Sequence, residues 1–290
     1  MKGPDFIIIG AMKSATSSLH VQLASHPGIL MSEPKEPNFF SDDDQYRRGV
    51  DSYLSLFANA RESDLCGESS THYTKLPDRP ETIPRMKALL PDVKLVYVMR
   101  HPIDRLVSHY IHQWTQNVIR CDINDALDRY PELINYSRYS YQLEPYFGAY
   151  GKGSVLPIFF AAVKRQPQTE LERIARFIGF RGPVAWKENL GVQNVSAERL
   201  RRFRGYRLMV DSPPMAFLRR ALVPQTIRDM VKARLTMKQR PALDDSSVAR
   251  LESIFDEDLH GLSEWLKVDL TCGNFDEKTS GDRLEWAAVQ

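Results

Sequence analysis

Short apolar runs of strand length alternate with helical patterns along the first 180 residues of the chain. Buried strands are predicted at five such runs, of which the last two are the weaker, at 6–9, 93–99, 155–160, 30–31 and 65–66. Continuous apolar strands are typical of a parallel sheet, because helices then cover both of its faces. Strands that alternate with helices in this way predict an α/β fold.

Amphipathic helices are predicted between and after these strands, where apolar residues recur at steps of three and four. One begins at Pro102, which suits the first position of a helix, and another ends near Gly179, a typical C-terminal cap. A long apolar stripe at 248–265 follows Asp244 and Asp245, either of which can cap a helix N-terminus. The later part of the chain is therefore also expected to be helical.

A single domain is expected over residues 1–290. We divide it into an α/β core at 1–180, a helical extension at 181–272 and a flexible tail at 273–290. The 42% of hydrophobic residues is enough for a large core and excludes disorder as the main state of the chain.

The net charge of +2 conceals a polarised C-terminal third. Residues 199–240 contain 12 Lys and Arg against 2 Asp and Glu, whereas residues 241–290 contain 4 against 12. Only Phe203 and Tyr206 lie among the first basic residues, too few for the stacking platform that single-stranded nucleic acid uses. We interpret the two blocks as solvated helical faces and expect no nucleic-acid partner.

Membrane, export and metal sites are not indicated by the sequence. No apolar run approaches the roughly 20 residues of a membrane span, and the first residues lack the pattern of a secretory signal. The three cysteines, Cys66, Cys121 and Cys272, have neither the spacing of a zinc site nor the even number of a disulfide framework. We expect a cytoplasmic protein without a membrane partner or a bound metal.

The first candidate site is the turn that follows the strand at 6–9. A turn of small residues before a helix can direct backbone N–H groups and the positive end of the helix dipole at an anion. Lys13 adds a charge, and small or hydroxyl-bearing neighbours surround it: Ser14, Ala15, Thr16, Ser17 and Ser18. The segment predicts phosphate binding, with Thr16 capping the helix beside it. An ordinary capped connection between strand and helix is the alternative.

The second candidate site follows the strand at 93–99. Arg100 lies where this strand meets the next helix, and Ser108 lies about two turns along that helix. A guanidinium and a hydroxyl together suit a phosphate group. An NTPase would place an acidic residue near such a strand end to hold Mg²⁺, and its Walker A lysine would follow a second glycine. Both features are missing, so a P-loop small-molecule kinase is only the alternative.

These residues resemble the sulfotransferases that use 3′-phosphoadenosine-5′-phosphosulfate (PAPS). Residues 10–19, GAMKSATSSL, are similar to their 5′-phosphosulfate loop, and residues 100–110, RHPIDRLVSHY, are similar to their 3′-phosphate motif. Residues 35–40, KEPNFF, and 67–73, GESSTHY, resemble two further segments of the heparan-sulfate type and its bacterial relatives. The resemblance covers roughly residues 5–180. It implies a P-loop-kinase-like parallel sheet with a helical C-terminal extension.

The resemblance also implies a role for each candidate residue. The loop from Lys13 to Ser18, together with Arg100 and Ser108, would bind PAPS, and Lys13 would also be catalytic. Glu36 would be the general base, with His72 as its rival. Lys35, Phe39 and Glu68 would contact the acceptor. No metal is needed, and the extension at 181–272 would face the acceptor.

Departures from the family pattern concern the acceptor and one turn. Ala15 stands where the loop usually has glycine, a mild change if the backbone there has ordinary dihedral angles. Asn38 and Ser41 occupy positions that hold His and Asp in some polysaccharide-acting relatives, and Ser69 replaces a lysine. We therefore expect sulfuryl transfer to a hydroxyl or amine of a small molecule, in secondary metabolite biosynthesis. A carbohydrate acceptor and a non-catalytic anion-binding protein remain as alternatives.

Overall fold

A parallel sheet forms the centre of the computed structural model, which describes residues 2–190, 237, 239–281 and 284–287. Over these residues the sheet has five strands, β1 (Phe6–Gly10), β2 (Ile29–Met31), β3 (Leu65–Ser69), β4 (Lys94–Met99) and β5 (Val155–Phe159). Their order is β2-β3-β1-β4-β5, and every neighbouring pair is parallel. Each predicted strand is present, including the two weak candidates, and the α/β prediction is confirmed.

Helices connect the strands and continue after the last one. In chain order the α-helices of the described residues are α1 (Thr16–Ala24), α2 (Asp43–Arg47), α3 (Val50–Leu54), α4 (Thr82–Leu89), α5 (Pro102–Thr115), α6 (Ile123–Arg129), α7 (Glu132–Asn135), α8 (Tyr139–Tyr150), α9 (Phe160–Arg165), α10 (Pro167–Ile178), α11 (Asp245–Leu266) and α12 (Phe275–Thr279). Helix α5 begins at Pro102 as predicted, and α10 ends before Gly179, whose left-handed backbone (φ 86°) is that of a C-terminal cap. None of these helices combines the length and apolarity needed to cross a bilayer.

Both faces of the sheet are buried, as its apolar strands require. Successive side chains of a strand point to opposite faces, and in β1 this sends Phe6 and Ile8 to one face and Ile7 and Ile9 to the other. The first face packs against apolar residues of α1 and α10. The second packs against α5, α8 and α11. The helices on both sides thus leave only the strand ends open to ligands.

The long apolar stripe near the C-terminus forms α11, and Asp244 is its N-cap. The Asp244 carboxylate accepts a hydrogen bond from the Ser247 N–H at 2.7 Å. The buried residues of α11, among them Leu251 and Phe255, belong to the same hydrophobic cluster as residues of β1 and β4. The described part of the extension therefore completes the core of the domain. Residues 191–236, which contain most of the basic block, lie outside the described residues.

The expected flexible tail is wrong for part of its length. Residues 275–279 form α12, and Phe275 is buried in the core cluster against Phe159 and Tyr139. Further along, the Trp286 indole N–H donates to the Val155 carbonyl of β5 at 2.7 Å. An isolated apolar residue in a polar segment gives little sequence signal, which is why the sequence does not predict this packing.

Gly67 in β3 lies directly opposite Phe6 in β1, and this pairing tests the core. A Cβ atom at Gly67 would lie 2.2 Å from the Phe6 ring. We expect Gly67→Ala to lower the free energy of unfolding by about 2 kcal/mol, because the buried ring has no room to move. Urea denaturation followed by circular dichroism measures this.

Gly148→Ala is the matched control, because a Cβ at this exposed position in α8 meets nothing within 4 Å. It should raise the free energy of unfolding by roughly 0.5–1 kcal/mol through better helix propensity. Equal effects of the two substitutions would contradict the packing of β3 against Phe6.

Candidate active site

The predicted site residues follow neighbouring strands at one edge of the sheet. Because β1 lies between β3 and β4, the segments after all three strands emerge side by side. The Ala11 N–H donates to the Val98 carbonyl of β4 at 2.8 Å, and the Ser70 N–H donates to the Ile8 carbonyl of β1 at 3.1 Å. The segment after β2 joins them, since the Glu36 N–H donates to the Ser69 carbonyl at 3.0 Å. The four motifs therefore meet at the carboxyl edge of the sheet.

The turn after β1 has an unusual backbone. Lys13 and Ala15 both have positive φ, 71° and 67°, and α1 begins directly afterwards at Thr16. A left-handed conformation costs a non-glycine residue about 1–2 kcal/mol. Ala15 therefore does not have the ordinary dihedral angles under which its place in the loop would be a mild change from glycine. Thr16 is the first helical residue, and no side chain caps α1, so the predicted capping by Thr16 is wrong.

Lys13 lies half-buried in this turn, and its environment lowers the pKa of its ammonium. Burial is the main cause, the nearby Arg100 adds to it, and Glu36 opposes it. The Arg100 Nη1 donates to the Lys13 carbonyl at 3.5 Å, which joins the turn after β1 to the end of β4. Ser14 beside Lys13 is fully buried, and its hydroxyl has no partner among the described residues. A ligand oxygen in this turn would meet the Ser14 hydroxyl and the positive end of α1.

The hydroxyl residues of α1 lie close to the turn. Thr16 and Ser18 are buried, and Ser17 is partly exposed. All three belong to the first turn of α1, whose N–H groups point toward the preceding turn, and the Ser18 N–H donates to the Ala15 carbonyl at 3.0 Å. The predicted phosphate-binding segment is thus assembled as a turn and a helix start.

Arg100 is fixed at the start of α5. Its guanidinium lies 5.0 Å from the centre of the Phe160 ring and donates to the Asp104 carboxylate at 3.4 Å. The Tyr139 hydroxyl binds the Arg100 backbone on both sides, donating to its carbonyl at 2.5 Å and accepting from its N–H at 3.1 Å. Arg100 lines an open cavity of about 680 Å³, together with Lys164 and others.

Ser108 is buried on α5. It is not among the described residues that line this cavity. It lies two turns along the helix from Arg100, as the sequence predicts. The structure thus connects Arg100 to the Lys13 turn directly, and Ser108 lies on the helix that Arg100 precedes.

Glu36 carries a half-buried carboxylate within a network of donors. The Lys35 ammonium lies 2.7 Å from its Oε1, and the Thr71 hydroxyl donates to the same oxygen at 3.2 Å. Burial raises the pKa of Glu36, but the attraction and hydrogen bond of Lys35 outweigh it, and the net shift is downward. Of the two opposing effects expected from the sequence, the lysine wins. Glu36 is therefore ionised at neutral pH and able to accept a proton.

Phe39 and Glu68 do not fit the predicted role of acceptor contacts. Phe39 is only 2% exposed, and its ring stacks on Tyr53 with 4.5 Å between the centroids. Glu68 is 0% exposed in β3. Both side chains belong to the interior beneath the site, so direct contact with an acceptor is wrong for them. Lys35 stays partly exposed, but its ammonium is paired with Glu36.

Glu68 instead supports the segment that carries Glu36. Its carboxylate accepts hydrogen bonds from the hydroxyls of Tyr53 (2.8 Å), Tyr73 (3.0 Å) and Ser70 (3.2 Å). The Ser70 hydroxyl in turn accepts from the Asn38 N–H at 3.1 Å, at a residue with a positive φ of 53°. Burial raises the pKa of Glu68 to about 7, against the opposing effect of the three hydrogen bonds.

His72 follows β3 on the same side as Glu36. Burial lowers the pKa of His72 to about 4, and the nearby Lys75 adds to the shift. The ring is therefore neutral at neutral pH and has a lone pair that can accept a proton. The structure thus places both predicted bases near each other, with Glu36 the more strongly held.

Two residues near the site were not singled out in the sequence. The His20 Nδ1 lies 2.9 Å from the Ser69 hydroxyl, and burial lowers the pKa of His20 to about 4. Burial lowers the pKa of Lys75 to about 8. A histidine inside a helix carries no distinct pattern, but a lysine just after the segment 67–73 could have been noticed. Across the residues that the structure describes, no three His, Cys, Asp or Glu are grouped as metal ligands.

The raised pKa of Glu68 predicts a pH dependence of stability. A carboxyl group that is protonated more readily in the folded state loses stability as pH rises from its unfolded pKa of 4.5 to its folded pKa of about 7. The shift corresponds to about 3 kcal/mol at roughly 1.4 kcal/mol per pKa unit. The free energy of unfolding of Glu68→Gln, minus that of the unmodified protein, should therefore rise by that amount between these pH values.

Urea denaturation at several pH values measures the difference. Glu33→Gln at an exposed position is the control and should follow the unmodified protein at every pH. Parallel curves for Glu68→Gln and the unmodified protein would show that Glu68 titrates normally.

Comparison with known proteins adds a family to this geometry. Residues 43–183 match the model described as "Sulfotransferase family". This stretch contains Glu68, His72, Arg100 and Ser108 but begins after Lys13 and Glu36. The chain is 27% identical over 198 residues to human bifunctional heparan sulfate N-deacetylase/N-sulfotransferase 2, which covers 61% of this chain and 22% of that protein. Human bifunctional heparan sulfate N-deacetylase/N-sulfotransferase 3 is 32% identical over 117 residues, which cover 38% of this chain and 13% of that protein.

The chain thus spans about a fifth of the length of the curated relatives it matches. Among solved structures, the sulfotransferase from Alicyclobacillus acidocaldarius has a TM-score of 0.65 at 23% identity, covering 93% of this chain and 98% of its own. Mouse sulfotransferase SULT7A1 complexed with PAP has a TM-score of 0.50 at 14% identity, covering 89% and 84%. These likenesses confirm the fold that the sequence motifs imply. The family match, which covers residues 43–183, confirms the resemblance to the sulfotransferases.

Proposed function

We propose that the protein transfers a sulfuryl group from PAPS to a hydroxyl or amine of an acceptor. The observation that carries this proposal is the contact between the ends of β1 and β4. There the Arg100 guanidinium reaches the Lys13 carbonyl at 3.5 Å, so two cationic groups from separate motifs share one edge of the sheet. A nucleotide with phosphate groups on both its 5′ and 3′ positions needs two such groups.

The turn after β1 suits the 5′ end of PAPS. The positive end of α1, the unpartnered Ser14 hydroxyl and the Lys13 ammonium are all donors without a competing acidic residue in the turn. Arg100 suits the 3′-phosphate, because its Nε is buried without a partner among the described residues. The complex of mouse sulfotransferase SULT7A1 with PAP supports the same nucleotide class.

Lys13 is the residue proposed to promote transfer. PAPS supplies the sulfuryl group together with a phosphate leaving group when it is bound. The Lys13 ammonium stabilises negative charge that develops at the leaving oxygen, which favours the transition state over the ground state. Its lowered pKa reflects a partly dry position, where such electrostatic stabilisation is stronger than in water.

Glu36 is the residue proposed to accept the proton of the acceptor. Its carboxylate is ionised at neutral pH and is held by Lys35 and Thr71 from one side. The lowered pKa makes it a weak base, so it acts as the acceptor O–H or N–H bond weakens in the transition state. His72, neutral beside it, is the second candidate for this role.

A small molecule is the acceptor we propose. Ser41 is only 4% exposed, and Asn38 is fixed by Ser70, so neither supplies the side chains of polysaccharide-acting relatives. A carbohydrate is the second candidate, because the chain is 27% identical to an enzyme named for heparan sulfate. Transfer assays with labelled PAPS on simple alcohols, amines and heparan oligosaccharides separate the two.

Lys13→Ala and Glu36→Gln test the proposed roles. We expect Lys13→Ala to lower kcat/KM for sulfuryl transfer on the order of 100- to 1,000-fold, since one charge at the leaving oxygen is lost. Glu36→Gln should lower kcat at least about 100-fold, with little change in PAP affinity, because a general base acts on the chemical step. Initial rates with labelled PAPS and PAP titration measure both.

Lys87→Ala and Glu33→Gln are the matched controls. Lys87 donates to the Pro91 carbonyl away from the carboxyl edge of the sheet, and Glu33 is exposed. Both should keep the rate of the unmodified protein. Full activity of Lys13→Ala would contradict the mechanism. Full activity of Glu36→Gln would show that Glu36 is not the base and would assign this role to His72.

Arg100→Ala tests the recognition of the 3′-phosphate. We expect it to weaken binding of PAP by roughly 10- to 100-fold, as the loss of a charge-assisted pair predicts, and to leave binding of AMP nearly unchanged. Calorimetric titration with both nucleotides measures the ratio. Tight binding of ATP with Mg²⁺ to the unmodified protein, and none of PAP, would favour the kinase alternative instead.

A further inference from the structure

Lys75 lies in a segment that is fixed on both sides. It follows the short 3₁₀ turn Thr71–Thr74 after β3. The Thr74 hydroxyl donates to the Ile9 carbonyl of β1 at 3.0 Å, and the Leu76 backbone exchanges two hydrogen bonds of 2.9 Å with the Gln142 amide of α8. The backbone of Lys75 is thereby held between the carboxyl edge of the sheet and α8.

The Lys75 ammonium is half-buried without an oxygen partner. Its Nζ lies 5.6 Å from the centre of the Tyr136 ring, and within the described residues it donates no hydrogen bond and forms no ion pair. The two carboxylates that attract it, Glu36 and Asp78, form no ion pair with it among the described residues and are bound to other groups. Asp78 accepts from the Tyr136 hydroxyl at 2.5 Å, and Glu36 is held by its own donors.

Neighbouring charges do not compensate for this burial. Burial is the main cause that lowers the pKa of Lys75, and Arg79 and Arg105 add to it, while Glu36 and Asp78 oppose it. The ammonium is partly exposed, so a ligand can reach it, and groups with perturbed pKa values are concentrated at functional sites. The structure therefore points to a ligand as the missing partner.

Lys75 differs from the two cationic groups assigned to the nucleotide. Lys13 belongs to the turn after β1 and is repelled by Arg100 at the end of β4, whereas Lys75 belongs to the segment after β3 and interacts electrostatically with Asp78 and Arg79. Both lysines have Glu36, the proposed base, as a charged neighbour. A group bound to Lys75 would thus lie beside the proposed base, in the segment that carries His72.

We propose that Lys75 binds an oxyanion of the acceptor, a carboxylate or a phosphate, and makes the protein select acceptors that carry such a charge near the reacting group. This inference rests on the proposed sulfuryl transfer. It identifies Lys75 as a specificity-determining residue and gives the acceptor a chemical class.

Binding to the protein saturated with PAP tests the inference without turnover. The probes are two matched pairs, 4-hydroxybenzoate against its methyl ester and glucose 6-phosphate against glucose, titrated by calorimetry at pH 7. We expect a charged member to bind at least about tenfold more tightly than its neutral match, as one charge-assisted contact predicts. The pair that shows the preference distinguishes carboxylate from phosphate.

Lys75→Met should abolish the preference, and Lys75→Arg should keep part of it. Lys87→Met is the control, because the Lys87 ammonium also lies over a tyrosine ring, at 4.6 Å from Tyr150, but donates to the Pro91 carbonyl at 2.8 Å. This variant should keep the full preference. PAP affinity, measured first for each variant, shows that the site is folded.

Proton uptake gives a readout that a structural role would not change. With the pKa of Lys75 at about 8, roughly half of its amines are uncharged at pH 8, and a bound anion favours the charged form. Binding of the charged probe at pH 8 should therefore take up about half a proton, seen in two buffers of different ionisation enthalpy. Its affinity should fall as pH rises from 7 to 9.

Equal binding of charged and neutral probes by the unmodified protein would overturn the inference, as would a preference that survives in Lys75→Met. Neither result affects the proposed function as long as PAP binds. Failure of the unmodified protein to bind PAP would overturn the proposed function and, with it, the acceptor class.

Discussion

The parallel pairing of β1 between β3 and β4 is the constraint on which the site depends. Parallel strands bring their carboxyl ends to one edge, so motifs separated by dozens of residues emerge side by side. Lys13, Glu36 and Arg100 are neighbours for this reason and not because of any local sequence feature. The Phe6 ring occupies the space beside Gly67, where two of these strands pair.

Positive charge dominates the edge that these strands form. Lys13, Lys35, Lys75 and Arg100 lie there; Lys35 outweighs burial in lowering the pKa of Glu36, whereas burial is the main cause that lowers the pKa values of Lys13 and Lys75. Glu36 is pulled toward its ionised form despite burial, whereas the amines of Lys13 and Lys75 are pushed toward their neutral forms. A site with this imbalance is suited to ligands that bring several negative charges.

Much of the fold was predictable because it follows from periodicity. The apolar runs marked all five strands, and Pro102, Gly179 and Asp244 marked helix ends through their backbone or capping chemistry. Family motifs located the site, but not the depth of each side chain in it. Whether Glu68 faces an acceptor or the interior depends on its three hydroxyl partners, Ser70 and Tyr73 just after it and Tyr53 in α3, whose orientation only the folded structure sets.

The backbone conformation of the turn after β1 could not be predicted from the sequence. The left-handed Ala15 arises from the closure of the turn between β1 and α1, and no alanine signals it in a sequence. The cytoplasmic location, the biosynthetic role and the division into core and extension stay predictions.

One contact made by α11 bears on how the nascent protein acquires its site. The Asp258 carboxylate of α11 accepts the N–H groups of Ser140 and Tyr141 at the start of α8, the helix whose Tyr139 holds the Arg100 backbone. The ribosome completes the sheet at Phe159, about a hundred residues before it adds Asp258. During that interval the first turn of α8 lacks the Asp258 carboxylate and one side of the core lacks α11 as its cover, so the domain is completed only after α11 has been synthesised.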